Sequence, residues 1–261
     1  MKIGIIGYGV VGKAISRTMQ DSNEIIKYDK FVKYDDFTDL LDTNFIFISV
    51  PTPFDSDTSK TDDSAVIESL ESLEDKKYNN CIIIKSTLPP GSCDSYHKKY
   101  NLKIVYNPEF LRESTSPDKD FRNQETVVIG TPNIIFYNNV VNLYKTVLKK
   151  QAEYFHTSFL EAEMVKLSQN TMLASRVALA NIIFETCQKI GVNYEIIKNI
   201  GFDRFEIIGP HMVQVPGPDG QKGFGGKCLP KDISAFNTIS DSEIIRQMIN
   251  YNKNLRNDLD D

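Results

Sequence analysis

The stretch "KIGIIGYGVVGKAISRTMQ" (2–20) limits the possible folds of this chain more than any other. An apolar run, then Gly7, Gly9 and Gly12, then a helical apolar pattern reads as strand, tight turn and helix. The next apolar run, "EIIKYD", ends in Asp29, 17 positions beyond Gly12. GxGxxG alone is weak. Set between strand and helix, with an acidic residue closing the following strand, it is a dinucleotide-binding fingerprint. Gly7 makes the tight turn, Gly9 lets backbone approach a pyrophosphate, and Gly12 lets the helix pack on the strand. Tyr8, Val10 and Val11 complete the loop, and the pyrophosphate rests on the helix N-terminus. Asp29 hydrogen-bonds the adenosine ribose and repels a 2′-phosphate, so NAD is expected rather than NADP. The plain alternative is a structural turn with no ligand.

More strand-like runs follow: "FIFISV" (45–50), "CIIIKS" (81–86), "KIVYN" (103–107) and "TVVIG" (126–130). Each is short, rich in isoleucine and valine and bounded by turn residues, as buried parallel strands are. Helical patterns lie between several of them, notably over 64–75 and 134–148. The expectation is a doubly wound α/β sheet, whose ligands bind beyond the carboxyl ends of the strands. There stand "PTPF" (51–54), "STLPPG" (86–91) and "NPEFLRES" (107–114), read as the walls of a cleft rather than mere strand stops.

From 158 to 190 the chain carries neither proline nor glycine, which predicts one long helix that links or buttresses two domains. Lys166 and Asn170 stand at i and i+4 and share a face of it. A Gly/Pro-rich loop (209–226) leads into "GFGGKCLPKD" (223–232), and helices are expected near 231–239 and 242–257. The glycines permit unusual backbone, and Pro230 suits a first helical turn. Cys228 then sits at a helix start, flanked by Lys227 and Lys231, in surroundings that stabilise a thiolate. The ordinary alternative is an incidental cysteine in a loop.

Composition narrows the classes. With a formal net charge of −5 there is no basic footprint for nucleic acid. No apolar run reaches the roughly 18 residues needed to span a bilayer, and the glycine-punctuated N-terminus does not read as a signal peptide. Cys81, Cys93, Cys187 and Cys228 lack CxxC spacing, which argues against zinc or a disulfide framework. A cytoplasmic location is expected.

Taken together, "GYGVVG", "SVPTP", "KSTLPPG", "NPEFLRES", "EMVKLSQNTMLASRVALAN" and "GFGGKCLPKD" resemble the nucleotide-sugar dehydrogenase family, in the family's order and near its spacing. The resemblance implies a Rossmann-like NAD-binding domain (1–157), then a helical, dimer-forming domain on a long central helix (158–261). It implies four-electron oxidation of a nucleotide-sugar C6 alcohol, UDP-glucose by default, with two NAD in turn. Cys228 matches the covalent nucleophile, passing through a thiohemiacetal and a thioester. Lys166 matches the lysine that stabilises oxyanions, with Asn170 one turn on. Asp232 matches the carboxylate that works with this lysine and a water. Glu109 matches the general base of thioester hydrolysis, and Thr87 a threonine that holds the water. Val50, Pro51, Thr52, Ser86, Thr87, Glu113 and Lys231 match cofactor contacts. Phe110, Leu111, Phe224 and Gly225 match substrate contacts, beside Glu109, Lys166 and Asn170.

Departures from the family pattern are also legible. Members usually continue into a third, nucleotide-closing domain, whereas this sequence stops at "NKNLRNDLDD", either because the protein is naturally short or because the sequence is cut there. "DRFEIIGPH" puts Ile207 where an arginine is common, and "QETVVIG" lacks another arginine. Two further readings remain: a two-electron 3-hydroxyacid dehydrogenase of related fold, which needs the lysine but no cysteine, and a non-catalytic NAD-binding remnant.

Overall fold

The structure, a computed structural model, describes residues 1–112, 116–148, 151–209 and 212–256. In chain order the elements are β1 (Lys2–Ile6), α1 (Val10–Met19), β2 (Glu24–Tyr28), a 3₁₀ turn (Phe37–Asp42), β3 (Phe45–Ile48), and a hairpin of β4 (Phe54–Asp55) and β5 (Lys60–Thr61). Then come α2 (Ser64–Asp75), β6 (Cys81–Ile84), α3 (Ser92–Lys99), β7 (Lys103–Tyr106), α4 (Pro117–Arg122), β8 (Thr126–Gly130), α5 (Ile134–Lys145) and β9 (Glu153–Thr157). Helices α6 (Phe159–Ile190), α7 (Tyr194–Gly201), α8 (Leu229–Ser240) and α9 (Glu243–Leu255) follow.

The chain divides into two compact units: residues 1–53 with 61–166, and residues 54–60 with 167–261. Helix α6 begins at Phe159, beside the boundary drawn from the sequence, and passes from the first unit into the second after Lys166.

The first unit is a Rossmann-like α/β sheet in the order β2-β1-β3-β6-β7-β8-β9. Neighbours run parallel from β2 to β7 and again from β8 to β9. One junction departs from the expected parallel sheet: β8 meets β7 antiparallel, with Tyr106 opposite Gly130. The antiparallel junction is confined to that one residue pair, whereas the parallel junctions run over four or five. Side-chain alternation sorts each strand between two cores. Ile46, Ile48, Ile82, Ile84 and Ile104 enter one, while Phe45, Phe47, Ile83 and Val105 enter the other. With both faces covered, the strands read as continuous apolar runs.

The second unit is helical. One cluster joins Ala180 and Cys187 of α6 to Tyr194, Val213 and Val215. Another joins Ala174 and Ala178 of α6 to Phe224 and Ile233. Among the described residues no helix is long and apolar enough to cross a membrane.

Candidate active site

The glycine turn is built as the spacing predicts. Gly7 takes φ +88°, and a Cβ there would lie 2.8 Å from the Ser49 carbonyl oxygen. A Cβ on Gly12 would lie 2.2 Å from the Gly7 carbonyl, which already accepts the Ser49 hydroxyl at 2.8 Å. Both positions therefore exclude a side chain, for turn geometry and for helix packing. Gly9 is different. Nothing lies within 4 Å of where its Cβ would be. That open cradle stands at the head of α1, where first-turn amides have no intrahelical acceptor, and it fits a pyrophosphate. Val10 and Val11 begin that helix, while Tyr8 donates its hydroxyl to Ser16 at 3.1 Å.

Asp29, just past β2, is aimed by the backbone: Tyr8 N–H donates to Oδ2 at 2.9 Å and Phe31 N–H to Oδ1 at 3.0 Å. A carboxylate has about four acceptor sites, so two amides leave capacity for ribose hydroxyls. The turns after β3 and β6 are stitched together. Ser86 donates its hydroxyl to the Val50 carbonyl at 2.7 Å, and Thr52 donates to the Thr87 carbonyl at 2.8 Å. Pro51 lies between those two contacts. Ser49 ties this pair of turns to Gly7, so these predicted cofactor residues converge in the first unit.

Past β7 the chain turns inward. Glu109 is buried; its Oε1 accepts from the amides of Phe110 (2.9 Å) and Leu111 (3.1 Å). Its Oε2 stands 3.0 Å from the ammonium of Lys85, a side chain with no exposed surface. Lys85 also donates to Asn107 Oδ1 at 2.9 Å, and Asn107 is pinned by Tyr144 and by the Val128 carbonyl. Burial drives the Lys85 ammonium below its usual range, and the Glu109 carboxylate pulls the other way. Lys166, also buried, holds its Nζ 5.4 Å from the Phe110 ring centroid. One turn before it on α6, the buried Glu163 accepts from Gly91 N (2.6 Å) and Cys93 N (2.8 Å), fixing the start of α3. Burial pushes the Glu163 carboxyl up, against those amides. Glu113 lies outside the described residues.

The second unit holds the rest. Cys228 is exposed and occupies the position just before α8, with Pro230 in the first turn. One turn on, Asp232 is fully buried; its Oδ2 accepts from the Asn170 amide at 2.5 Å, and Lys231 Nζ stands 3.2 Å from Oδ1. The glycine loop before the cysteine is clamped by two amide side chains. Gly223 N–H donates to Asn181 at 3.1 Å; Asn252 accepts from Phe224 N at 2.7 Å and donates to Phe224 O at 2.9 Å. A Cβ on Gly223 would lie 2.4 Å from Asn252 Oδ1, and one on Gly225 would lie 2.3 Å from Arg256 Nη1. These glycines make room for α9 and the residue that follows it. The Phe224 ring likewise belongs to the core, only 2% of its surface being exposed.

Sequence reasoning missed Lys85, Asn107, Tyr144, Glu163, Asn181 and Asn252. A signal existed for the first: a lysine directly after "CIII" in a buried strand needs a carboxylate, and "NPEF" supplies one.

Residues 23–148 match the NAD binding domain of the UDP-glucose/GDP-mannose dehydrogenase family, and residues 160–254 match its central domain. The glycine turn precedes the first match, so its cofactor role rests on the geometry above. A UDP-glucose 6-dehydrogenase of Rickettsia bellii is 33% identical over 243 residues, covering 88% of this chain and 53% of that protein. The chain thus spans about half the length of the curated relatives it matches. Among solved structures, a UDP-glucose dehydrogenase from Pyrobaculum islandicum superposes with TM-score 0.79 at 22% identity, over 97% of this chain and 68% of that one. A UDP-D-ManNAc dehydrogenase from Pyrococcus horikoshii gives TM-score 0.80 at 21% identity, over 98% and 69%. At those identities the structures bear on the fold.

Proposed function

The chain belongs to the UDP-glucose/GDP-mannose dehydrogenase family, and from that premise we propose that it oxidises the C6 alcohol of a nucleotide-diphosphate sugar to a carboxylate, with UDP-glucose as the substrate. The observation that carries the reading is Cys228: an exposed thiol at a helix start, with the Asn170–Asp232 pair in the same unit. NAD, which Gly7, Gly9, Gly12 and Asp29 would hold, would supply the hydride acceptor for each of the two oxidations.

The chain's own residues do the rest. After the first oxidation the Cys228 thiolate adds to the aldehyde carbon, forming a C–S bond, and the new oxyanion takes a proton. The second oxidation removes hydride from that carbon while the hydroxyl proton passes to solvent, which leaves a thioester. Water then adds to the acyl carbon, Glu109 takes its proton, and the C–S electron pair leaves on the Cys228 sulfur. Lys166 stabilises the oxyanions, Asn170 and Asp232 hold the polar setting, and Thr87 orients the water. Substrate contacts at Phe110, Leu111 and the 223–225 loop, cofactor contacts at Asp29 and Lys231, and a cytoplasmic location belong to the same reading.

Counting NADH per sugar consumed tests it, with UDP-glucose, UDP-N-acetylmannosamine and GDP-mannose offered in turn. The expected ratio is two, with a uronate product. Cys228→Ala is expected to abolish uronate while still binding NAD. A ratio of one with an active alanine variant would make the enzyme a two-electron dehydrogenase; NAD binding with no turnover on any sugar would make it a remnant.

A further inference from the structure

Lys85 has no place in the chemistry above, yet it is an enclosed charge beside Glu109. It directly follows β6, three of whose residues are isoleucines, and its side chain has no exposed surface. A buried ammonium is costly unless it is paired and hydrogen-bonded. Here it is surrounded: Glu109 Oε2 at 3.0 Å, Asn107 Oδ1 at 2.9 Å, the Pro108 carbonyl at 3.4 Å and the Tyr144 hydroxyl at 3.5 Å. The Phe121 ring closes a further side, its centroid 5.6 Å away. Asn107 is itself held, donating to the Val128 carbonyl at 2.7 Å and accepting from Tyr144 at 2.5 Å. The ammonium therefore has one place to be.

The consequence falls on Glu109. Two consecutive backbone amides fix Oε1, and Lys85 stands at Oε2. Hydrogen bonds at Oε1 and the ammonium beside Oε2 together favour one orientation of the carboxylate. An apolar pair would serve the fold as well as a buried ion pair, often better. This one stands just past the carboxyl ends of β6 and β7, where sheets of this class keep their chemistry.

We infer that Lys85 is a positioning residue for Glu109, holding the carboxylate in the orientation from which it takes the proton of the hydrolytic water. The inference rests on the proposed role of Glu109, and it assigns Lys85 to one step only. Water's oxygen bonds to the acyl carbon, its proton passes to the fixed Glu109 oxygen, and the sulfur of Cys228 departs with the C–S pair. Both hydride transfers precede that step, so loss of Lys85 leaves them intact.

The test is a rapid-mixing experiment on the whole protein, with the sugar it turns over, read by NADH absorbance and by intact mass. Lys85→Met is expected to give a burst of two NADH per site, then turnover slowed about 10²-fold, the scale of a lost general base. The sugar-acyl adduct should accumulate on Cys228, as it should in Glu109→Gln. A structural role would instead slow burst and turnover together, with no adduct, and would overturn the inference. The double variant Lys85→Met/Glu109→Gln buries no lone charge and guards against a single variant that fails to fold. It is expected to hydrolyse within about twofold of Glu109→Gln, because Lys85 acts through that carboxylate. A further tenfold loss would mean an independent role and overturn the assignment. One NADH per sugar in the wild type would remove the hydrolytic reading and Lys85's part with it. Two NADH in the wild type, with Lys85→Met turning over normally, would remove the inference alone.

Discussion

Cys81 and Cys93 are sealed in the sheet unit, and their chemistry follows. Burial pushes the Cys81 thiol up to about 12, and burial with the Glu163 carboxylate pushes Cys93 well above the ordinary range. Cys187 is buried on α6, while Cys228 is exposed at the head of α8. A thiol reagent at neutral pH is therefore expected to modify Cys228 alone in the native protein, and Cys228→Ser to abolish that fast phase. Two or more fast thiols before unfolding would contradict this assignment of environments. The position of Cys228 was readable because helix-start signals are local: glycines before it, Pro230 just after it. Asp29 was readable for the same reason, being one βα unit away from Gly12. Lys85 was not. Its burial is decided by Glu109 and Tyr144, far along the chain, and a lysine ending a strand usually reaches solvent.

Among the elements, the strands were legible where both faces are covered, since continuous isoleucine and valine runs have few other uses. Strand β9, "EYFHT", was missed: it pairs only with β8 and stays partly exposed, so its pattern is too polar to stand out. Helix α3, "SCDSYHKK", was hidden behind the proline turn that precedes it. The reversal between β7 and β8 left no trace in the residues, because strand direction is set by packing. Nor was the use of α9 visible. It reads as a plain amphipathic helix, yet Asn252 supplies both hydrogen bonds to the Phe224 backbone. Asn252→Ala leaves a buried N–H and a buried C=O unpaired, each worth about 1–3 kcal/mol. A fall of that order in stability is expected by denaturant titration, with kcat falling as the loop before Cys228 loosens. Unchanged stability would mean that the clamp is dispensable.

For the molecule as a whole, the second unit leaves an apolar stripe on its helices exposed. On α6, Met172 (65% exposed), Leu179 (56%) and Ile190 (66%) fall on one stripe, and α7 leaves Ile196 and Ile200 exposed. Isolated apolar residues need no explanation, but a run of this kind marks an interaction surface. We propose that it pairs with its own copy about a two-fold axis, as the resemblance leads one to expect. Light scattering at micromolar concentration should give the mass of a dimer, and Leu179→Glu should shift it toward the monomer. A monomer in the unmodified protein would set the proposal aside.

Helix α6 also carries a sequence of duties along one unbroken screw: Glu163 at the α3 amides, Lys166 over Phe110, Asn170 on Asp232, Ala174 and Ala178 in the second core, and Asn181 on the glycine loop. Each residue advances the helix by about 100° and about 1.5 Å. A substitution on the solvent side alters one contact, whereas losing or gaining one residue between Glu163 and Asn181 misaims every duty beyond it. In this chain α6 is a ruler: its markings can be repainted one at a time, but a change of length moves every marking beyond it.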